Sequence, residues 1–397
     1  MKLKNDLSFV ENIATRKRLV KRIKFALIDY LKHYPTEVVN SIMNEEFINT
    51  NPSYYLYYPY LFNEYFNFHD KDKLDLISMS AFLYYKSVIL IDDIFDNDKK
   101  TNNFKNYFIA NICQEETIKI LSSFFSMDSS FWKTWNNRKL EYVKAFQLDK
   151  ALQQIKDYEE FENLADYKSA VGKVAIDCLY YLSNERNEDI YKSLLESHKY
   201  FYVGFQIMDD IVDYDEDTKN GQFNISKHEL IKKLKNKNDV INDYSLENQK
   251  KLIYLTGVSE DLYVKATSYL NKSLKIQVNQ NTLWATEIKS LYNTSVTHYL
   301  NIRGFIKKYH TEQEKTVTIN KRQSLSNTIM NSVDYIVKNQ LTEGCWNDFF
   351  NDAGISDVWV TSYVLYTLNS LKNTDNIGNT VIEKGKNYLI NNQYNNL

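Results

Sequence analysis

The chain has 397 residues, enough for roughly two or three domains, and its 49 Lys and Arg against 51 Asp and Glu leave a net charge of -2, so no global field draws it to nucleic acid or acidic membranes. Only 9 glycines and 3 prolines occur, too few for the turns of a β-rich protein, and an all-α chain is expected. Cys113, Cys178 and Cys345 have neither disulfide-framework nor metal-ligand spacing, which points to a reducing cytoplasm. The 32 tyrosines and 21 phenylalanines imply many aromatic rings, most of them core.

In chain order, Arg16 to Tyr30 is a basic amphipathic stretch (Arg16, Lys17, Arg18, Lys21, Arg22, Lys24), a solvated helix face or a contact for anionic lipid. There is no N-terminal apolar signal core, and no segment approaches the ~20 apolar residues of a membrane span, so no stable membrane insertion is expected. Helical periodicity runs from residue 8 to about 310, with breaks near Pro35, Asn49 to Pro52, Asp70 to Asp72, Asn97 to Asn103 and Asp217 to Asn224. Such short connections suit a helical bundle. One apolar run (Leu76, Met79, Ala81, Phe82, Leu83, Val88, Leu90, Ile91) leads into Asp92-Asp93-Ile94-Phe95-Asp96. A second, Phe201 to Met208, leads into Asp209-Asp210-Ile211-Val212-Asp213. The polar, aperiodic stretch 311–323 is expected to link a domain at 1–310 to another at 324–397. In the latter, Gln340-x3-Gly344-x-Trp346 precedes Trp359, Thr361, Ser362 and Tyr363. Tyr335 to Gln340 is echoed by Tyr388 to Gln393, 53 residues on, as in one helical-hairpin repeat and the start of another.

On a helix, residues i and i+4 share a face, so Asp92 and Asp96 reach one ion with Asp93 flanking, as do Asp209 and Asp213 with Asp210. Carboxylates alone, without histidine or cysteine, select Mg²⁺ or Mn²⁺. Mg²⁺ completes its shell with water and substrate phosphate oxygens, which implies a phosphorylated substrate.

The stretches Ile89 to Asp96 and Gly204 to Asp213, with Phe205-Gln206 before the second cluster and Asp217, Lys219, Gly221 and Gln222 after it, resemble the two aspartate-rich motifs of the trans-isoprenyl diphosphate synthase (polyprenyl synthetase) family. The resemblance covers residues 10 to 310. It implies the all-α class I terpenoid synthase bundle, a homodimer, and about three Mg²⁺ ions clamping an allylic prenyl diphosphate. All six aspartates would be catalytic, with Asp92, Asp93, Asp96, Asp209 and Asp213 on metal. By the family pattern Gln206 and Lys173 lie beside the diphosphate or hydrocarbon and Lys219 or Lys227 caps the phosphates, although Val174 stands where a Thr usually follows Lys173. The family's pocket floor falls on Ser87 and Val88, both small, and Tyr84, the first bulky side chain. A deep pocket is expected, for substrates of about fifteen to twenty-five carbons with twenty favoured.

The family's chain-elongating members hold a second diphosphate, isopentenyl diphosphate, with basic residues at three places. Here the Lys and Arg of one become Tyr55 and Tyr58, and the His of another becomes Tyr85. The paired Arg of the third fall at Thr101 and Asn102, with Lys99 and Lys100 one register earlier. Each lost charge-assisted contact is worth ~1.5–3 kcal/mol. A class I terpene synthase is therefore expected, which ionises one polyprenyl diphosphate and cyclises or quenches the cation beside aromatic faces. Alternatives are head-to-tail elongation by a polyprenyl diphosphate synthase, and a non-catalytic partner subunit or scaffold.

Gln340 to Trp346, followed by Trp359-Val360-Thr361-Ser362, resembles the repeats of squalene-hopene cyclase and related α/α-toroid domains. The resemblance implies a short helical-hairpin segment in which Gln and Trp brace helix ends. One and a half hairpins cannot close a toroid. With no Asp-x-Asp-Asp acid motif in the chain, this segment is expected to carry no chemistry of its own.

Overall fold

With so few glycines and prolines to interrupt them, the periodic segments fold as helices, joined by short turns. The computed structural model describes residues 2–96, 103–150, 157–235, 241, 244–276, 281–319, 325–347, 350–351, 354–355, 357–370 and 379–392. They divide into two units, Met1–Lys307 and Lys308–Leu397.

In the first unit α1 (Lys2–Tyr30), α2 (Thr36–Ile42) and α3 (Glu45–Thr50) lead through three 3₁₀ turns between Ser53 and Phe66 into α4 (Lys71–Asp96). There follow α5 (Asn103–Ser122), α6 (Ser130–Lys150), α7 (Tyr158–Lys168), α8 (Ala170–Leu182) and α9 (Glu188–Val212). Next come α10 (Tyr214–Asn220), α11 (Ile225–Lys235), α12 (Leu246–Leu255), α13 (Val258–Ile276) and α14 (Leu283–Ile319), the last running past the end of the unit at Lys307. Local chemistry sets several starts: the Asp157 carboxylate accepts from the amides of Glu159 and Glu160 ahead of α7, and Asn187 Oδ1 from those of Asp189 and Ile190 ahead of α9. Such caps contribute about 1 kcal/mol each.

α4 packs on α5 and α8, and α9 on α7, α8 and α13, so α4 and α9 are inner helices of the bundle. Their apolar faces meet one continuous core that includes Phe62, Phe82, Phe131, Phe161, Phe201 and Trp284. Full burial of each such side chain stabilises by about 1.5–3 kcal/mol or somewhat more. The all-α expectation holds: beyond the helices, the described residues include one two-residue ladder, Phe350–Asn351 with Gly354–Ile355.

Two expectations are corrected. α4 is long and apolar enough to cross a membrane by composition, but 67% of its most apolar window is buried inside the protein; it is apolar all round because both its faces are packed. Residues 311–319 are not an irregular linker, since α14 continues as helix to Ile319; 320–323 lie outside the described residues. Residues such as Gln313, Glu314 and Lys315 are good helix formers, and polarity without Gly or Pro does not end a helix.

The second unit contains α15 (Leu325–Lys338), the short ladder, α16 (Val358–Ser370) and α17 (Asn379–Asn391). Here the Gln340, Gly344 and Trp346 set is a brace. Gln340 Nε2 donates to the carbonyls of Gly344 (2.8 Å) and Val381 (2.9 Å), and Trp346 Nε1 to that of Ile336 (2.6 Å). The Trp346 amide donates to Thr361 Oγ1. The repeat's echo at Gln393 lies outside the described residues. Gly344 has φ +97°, and a Cβ there would lie 2.6 Å from the Lys384 carbonyl oxygen. Gly344→Ala should therefore destabilise the second unit by about 1–3 kcal/mol from the backbone conformation alone, read as a lower melting temperature in calorimetry. An unchanged transition would show that the brace does not depend on this approach.

Candidate active site

α4 ends on its aspartate cluster and α9 ends in the turn carrying the other. Carboxylates at helix C-termini face the negative end of the macrodipole, an arrangement unfavourable by a few tenths of a kcal/mol to ~1 kcal/mol each. The bundle brings these two ends to one cavity of about 380 Å³, into which Asp92, Asp93, Asp209 and Asp213 all project. Asp149, Glu216 and Asp217, three acids that the spacing argument left out, also line it. The signal for Asp217 was in the sequence, one helical turn past Asp213; that for Asp149 was not, because it comes from α6.

Crowding of like charge shows in the acidities. Burial and then Asp213 push the Asp209 carboxyl up to about 7, and burial pushes Asp217 up to about 6. Asp213 is also raised, by burial and Glu216. Asp210 differs from its neighbours. It is 2% exposed, accepts from Gln206 Nε2 (2.7 Å) and from the Ile225 amide (2.6 Å), and burial pushes its carboxyl up to about 8. It ties α9 to the start of α11 instead of facing the cavity.

The remaining expected residues separate into two groups. Gln206 lines the cavity. Val88 and Tyr84 line an adjoining apolar groove of about 410 Å³, which shares Val88, Asp92, Tyr142 and Phe146 with the acidic cavity. Aromatic contacts build its wall, Tyr84 with Trp135 at 4.6 Å and Phe95 with Phe146 at 5.2 Å between ring centroids. Ser87 lines neither space: it is fully buried and donates to the Tyr84 carbonyl. Asp96 closes α4, and its side chain lies outside the described residues, as do Lys99, Lys100, Thr101 and Asn102.

The basic residues need the largest correction. Lys173 is buried and held by Asp166 (2.7 Å) and Glu141 (3.0 Å), so its charge is used in the core. Lys219 and Lys227 are not among the cavity's lining residues. The lysine that does line it, alone of its type among the described residues, is Lys168, with Ser169 next to it. The lysine–hydroxyl pair expected at 173–174 is thus present five positions earlier, at Lys168 and Ser169. Lys168 Nζ lies 2.9 Å from Asp149. Burial lowers the affinity of Lys168 for its proton, but Asp149 and Asp210 outweigh it and hold the ammonium firmly charged.

Where basic side chains were expected for a second diphosphate, the structure has stacked tyrosines. The Tyr55 ring lies parallel to Tyr85 at 3.7 Å and to Tyr58 at 5.7 Å. Tyr85 donates to Asn51 Oδ1, and Tyr55 shares a hydrogen bond with Tyr202 (3.1 Å). Burial pushes the Tyr55 phenol up to about 12 and raises Tyr58, Tyr85 and Tyr202 as well. All four stay neutral. Tyr55, Tyr85 and Tyr202 face the acidic cavity.

No protein-family model matches the chain, and no curated protein matches it. Solved structures do. A geranylgeranyl pyrophosphate synthetase from the archaeon Geoglobus acetivorans is similar with a TM-score of 0.56 and 17% identity, over 72% of this chain and 98% of that one. The chain has the fold of the prenyl diphosphate synthases. Heptaprenyl diphosphate synthase of Staphylococcus aureus (TM-score 0.57, 11% identity, 70% and 98% covered) and a Caulobacter crescentus polyprenyl synthase complexed with calcium and isoprenyl diphosphate (0.56, 12%, 73% and 96%) are similar too. Nothing in these likenesses supports the cyclase-type resemblance of residues 324–397.

The donor set fits a hard divalent cation, being oxygen-only, crowded and destabilised by its own charge. Among the described residues no three carboxylates are drawn into a ready ligand cluster. Mg²⁺ needs only one or two, with water and phosphate oxygens completing its shell. A linkage prediction follows from Asp209. Its carboxyl holds a proton up to about pH 7 in the folded chain but only to ~3.9 when unfolded, so this group makes folded stability fall as pH rises between those values. Asp209→Asn should flatten the decline in metal-free melting temperature between about pH 4 and about pH 7, and should remove the stabilisation that Mg²⁺ gives the wild type at the upper end. Identical profiles for variant and wild type would contradict this.

Proposed function

We propose that the chain is a Mg²⁺-dependent enzyme that ionises an allylic prenyl diphosphate, and that the cation then cyclises or is quenched within the same pocket. The observation that carries this reading is the meeting of both aspartate clusters at one cavity that opens on an aromatic-walled apolar groove. A diphosphate suits the acidic end only with cations between, and a hydrocarbon suits the groove.

Asp92, Asp93, Asp209 and Asp213 would hold Mg²⁺, with Mn²⁺ a substitute, and the metal supplies Lewis-acid neutralisation of the leaving diphosphate. Lys168, charged and facing the cavity, adds a point charge for phosphate oxygens. Gln206 orients by hydrogen bonding and, through Asp210, keeps the end of α9 in place. The rings of Tyr84, Trp135, Tyr142 and Phe146 shape the groove, exclude water and present π faces to a carbocation. Apolar side chains exposed on α5 (Phe104, Tyr107, Phe108) and α6 (Leu140, Val143) support a second copy as partner.

The names of the similar structures favour a second reading, head-to-tail elongation with isopentenyl diphosphate. Against it, the stacked Tyr55, Tyr58 and Tyr85 leave neutral hydroxyls where that substrate's diphosphate would need cations. The deciding experiment incubates the purified full chain with Mg²⁺ and allylic diphosphates of ten to twenty-five carbons, with and without isopentenyl diphosphate, followed by mass spectrometry. Hydrocarbons or alcohols formed without isopentenyl diphosphate are expected. Longer diphosphates formed only in its presence would establish elongation instead. Asp93→Ala and Asp209→Ala should each lower diphosphate release by at least about a hundredfold; release by neither the wild type nor the variants would indicate a scaffold.

A further inference from the structure

The tyrosines that stand in the basic positions lead from the cavity to a buried histidine. Tyr202, on α9, lines the cavity. Its hydroxyl accepts from that of Tyr58 (3.0 Å), and the Tyr58 oxygen lies 2.9 Å from His198 Nε2. Tyr58 is 2% exposed and His198 is 0% exposed, with Phe62 and Trp284 flanking the imidazole.

Two features mark this chain as more than filler. A Cβ on Gly172 would lie 2.8 Å from His198 Nε2 and 3.0 Å from the Tyr58 hydroxyl, so a glycine makes room for the pair. Gly172 stands in the first turn of α8, where glycine is still a poorer helix former than alanine. Further, His198 Nδ1 is buried and has no hydrogen-bond partner among the described residues, a condition native proteins seldom tolerate without use. Burial, and after it the charges of Lys173 and Arg138, hold the ring neutral well below its ordinary range. It rests as a free base.

Building on the ionisation reading, we propose that the chain from Tyr202 through Tyr58 to His198 is the terminal proton acceptor of the reaction. A C–H bond beside the cationic carbon breaks, and its electron pair forms the C=C bond of an alkene. The Tyr58 hydroxyl first turns from Tyr202 to His198 Nε2 and the Tyr202 hydroxyl turns to Tyr58; the proton then goes to the Tyr202 oxygen as the Tyr202 hydroxyl proton passes to Tyr58 and that of Tyr58 to His198 Nε2. An imidazolium results, and it resets by returning its proton along the same path to the released diphosphate. A weak base suffices, because a proton beside a carbocation is far more acidic than an imidazolium. His198 itself never meets substrate, so it and Tyr58 act through Tyr202.

The test uses the full chain with Mg²⁺ and geranylgeranyl diphosphate, comparing wild type with Tyr202→Phe, Tyr58→Phe and His198→Gln. Alkenes and alcohols are quantified per mole of diphosphate released, so that the partition is independent of turnover rate. A positioned base contributes on the order of a hundredfold or more, and the alkene-to-alcohol ratio should fall at least about tenfold in each variant that melts like the wild type. Tyr202→Phe and Tyr58→Phe keep the stacked rings, so at least these two are expected to fold. Unchanged ratios in folded variants overturn the relay while leaving ionisation intact, and show the chain to be a hydrogen-bonded core feature. Absence of diphosphate release by the wild type overturns the ionisation reading, and the relay with it.

Discussion

The site depends on one electrostatic conflict: two helices end on carboxylates and the bundle points both ends into the same half-buried cavity. Asp209 and Asp213 are disfavoured by burial, by neighbouring carboxylates and by the C-terminal end of α9. The weakened acidities of Asp209, Asp213 and Asp217 express that conflict. A core serves stability best without it. The surrounding helices hold the arrangement because α4 and α9 are inner helices, and their apolar faces cannot rotate away without exposing much of the core.

Around this acidic end the chain distributes its other charges sparingly. Lys168 faces the cavity, whereas Lys173 is spent on Glu141 and Asp166 in the core. The opposite wall is neutral, a stack of tyrosines with interlinked hydroxyls. Among the described residues, one lysine lines the cavity between its acidic end and its tyrosine wall. The same tyrosines give the cavity a continuous hydrogen-bonded exit towards His198.

The second unit obeys a different logic. Its Gln340, Gly344 and Trp346 satisfy backbone carbonyls at helix ends and let α17 approach a left-handed turn. These are the duties of residues that hold a hairpin together, and no acidic or basic cluster accompanies them among the described residues.

Much of this was legible in the primary structure. Scarce Gly and Pro and a 3.6-residue apolar period specify helices, and an aspartate pair at i and i+4 after an apolar run specifies a charged helix end at a core rim, because these are local properties of one helix. The departures at Tyr55, Tyr58 and Tyr85 were visible for the same reason. What only the tertiary structure decided are relations between helices: that Asp210 turns inward to α11 while Asp209 faces the cavity, that Asp149 joins from α6, and that Lys168 and not Lys173 supplies the cation. Ser87 and Val88, adjacent in sequence, point to different places. A helix fixes the angle between its side chains, but which angle meets a cavity, a partner carboxylate or the core is set by the neighbours packed against it.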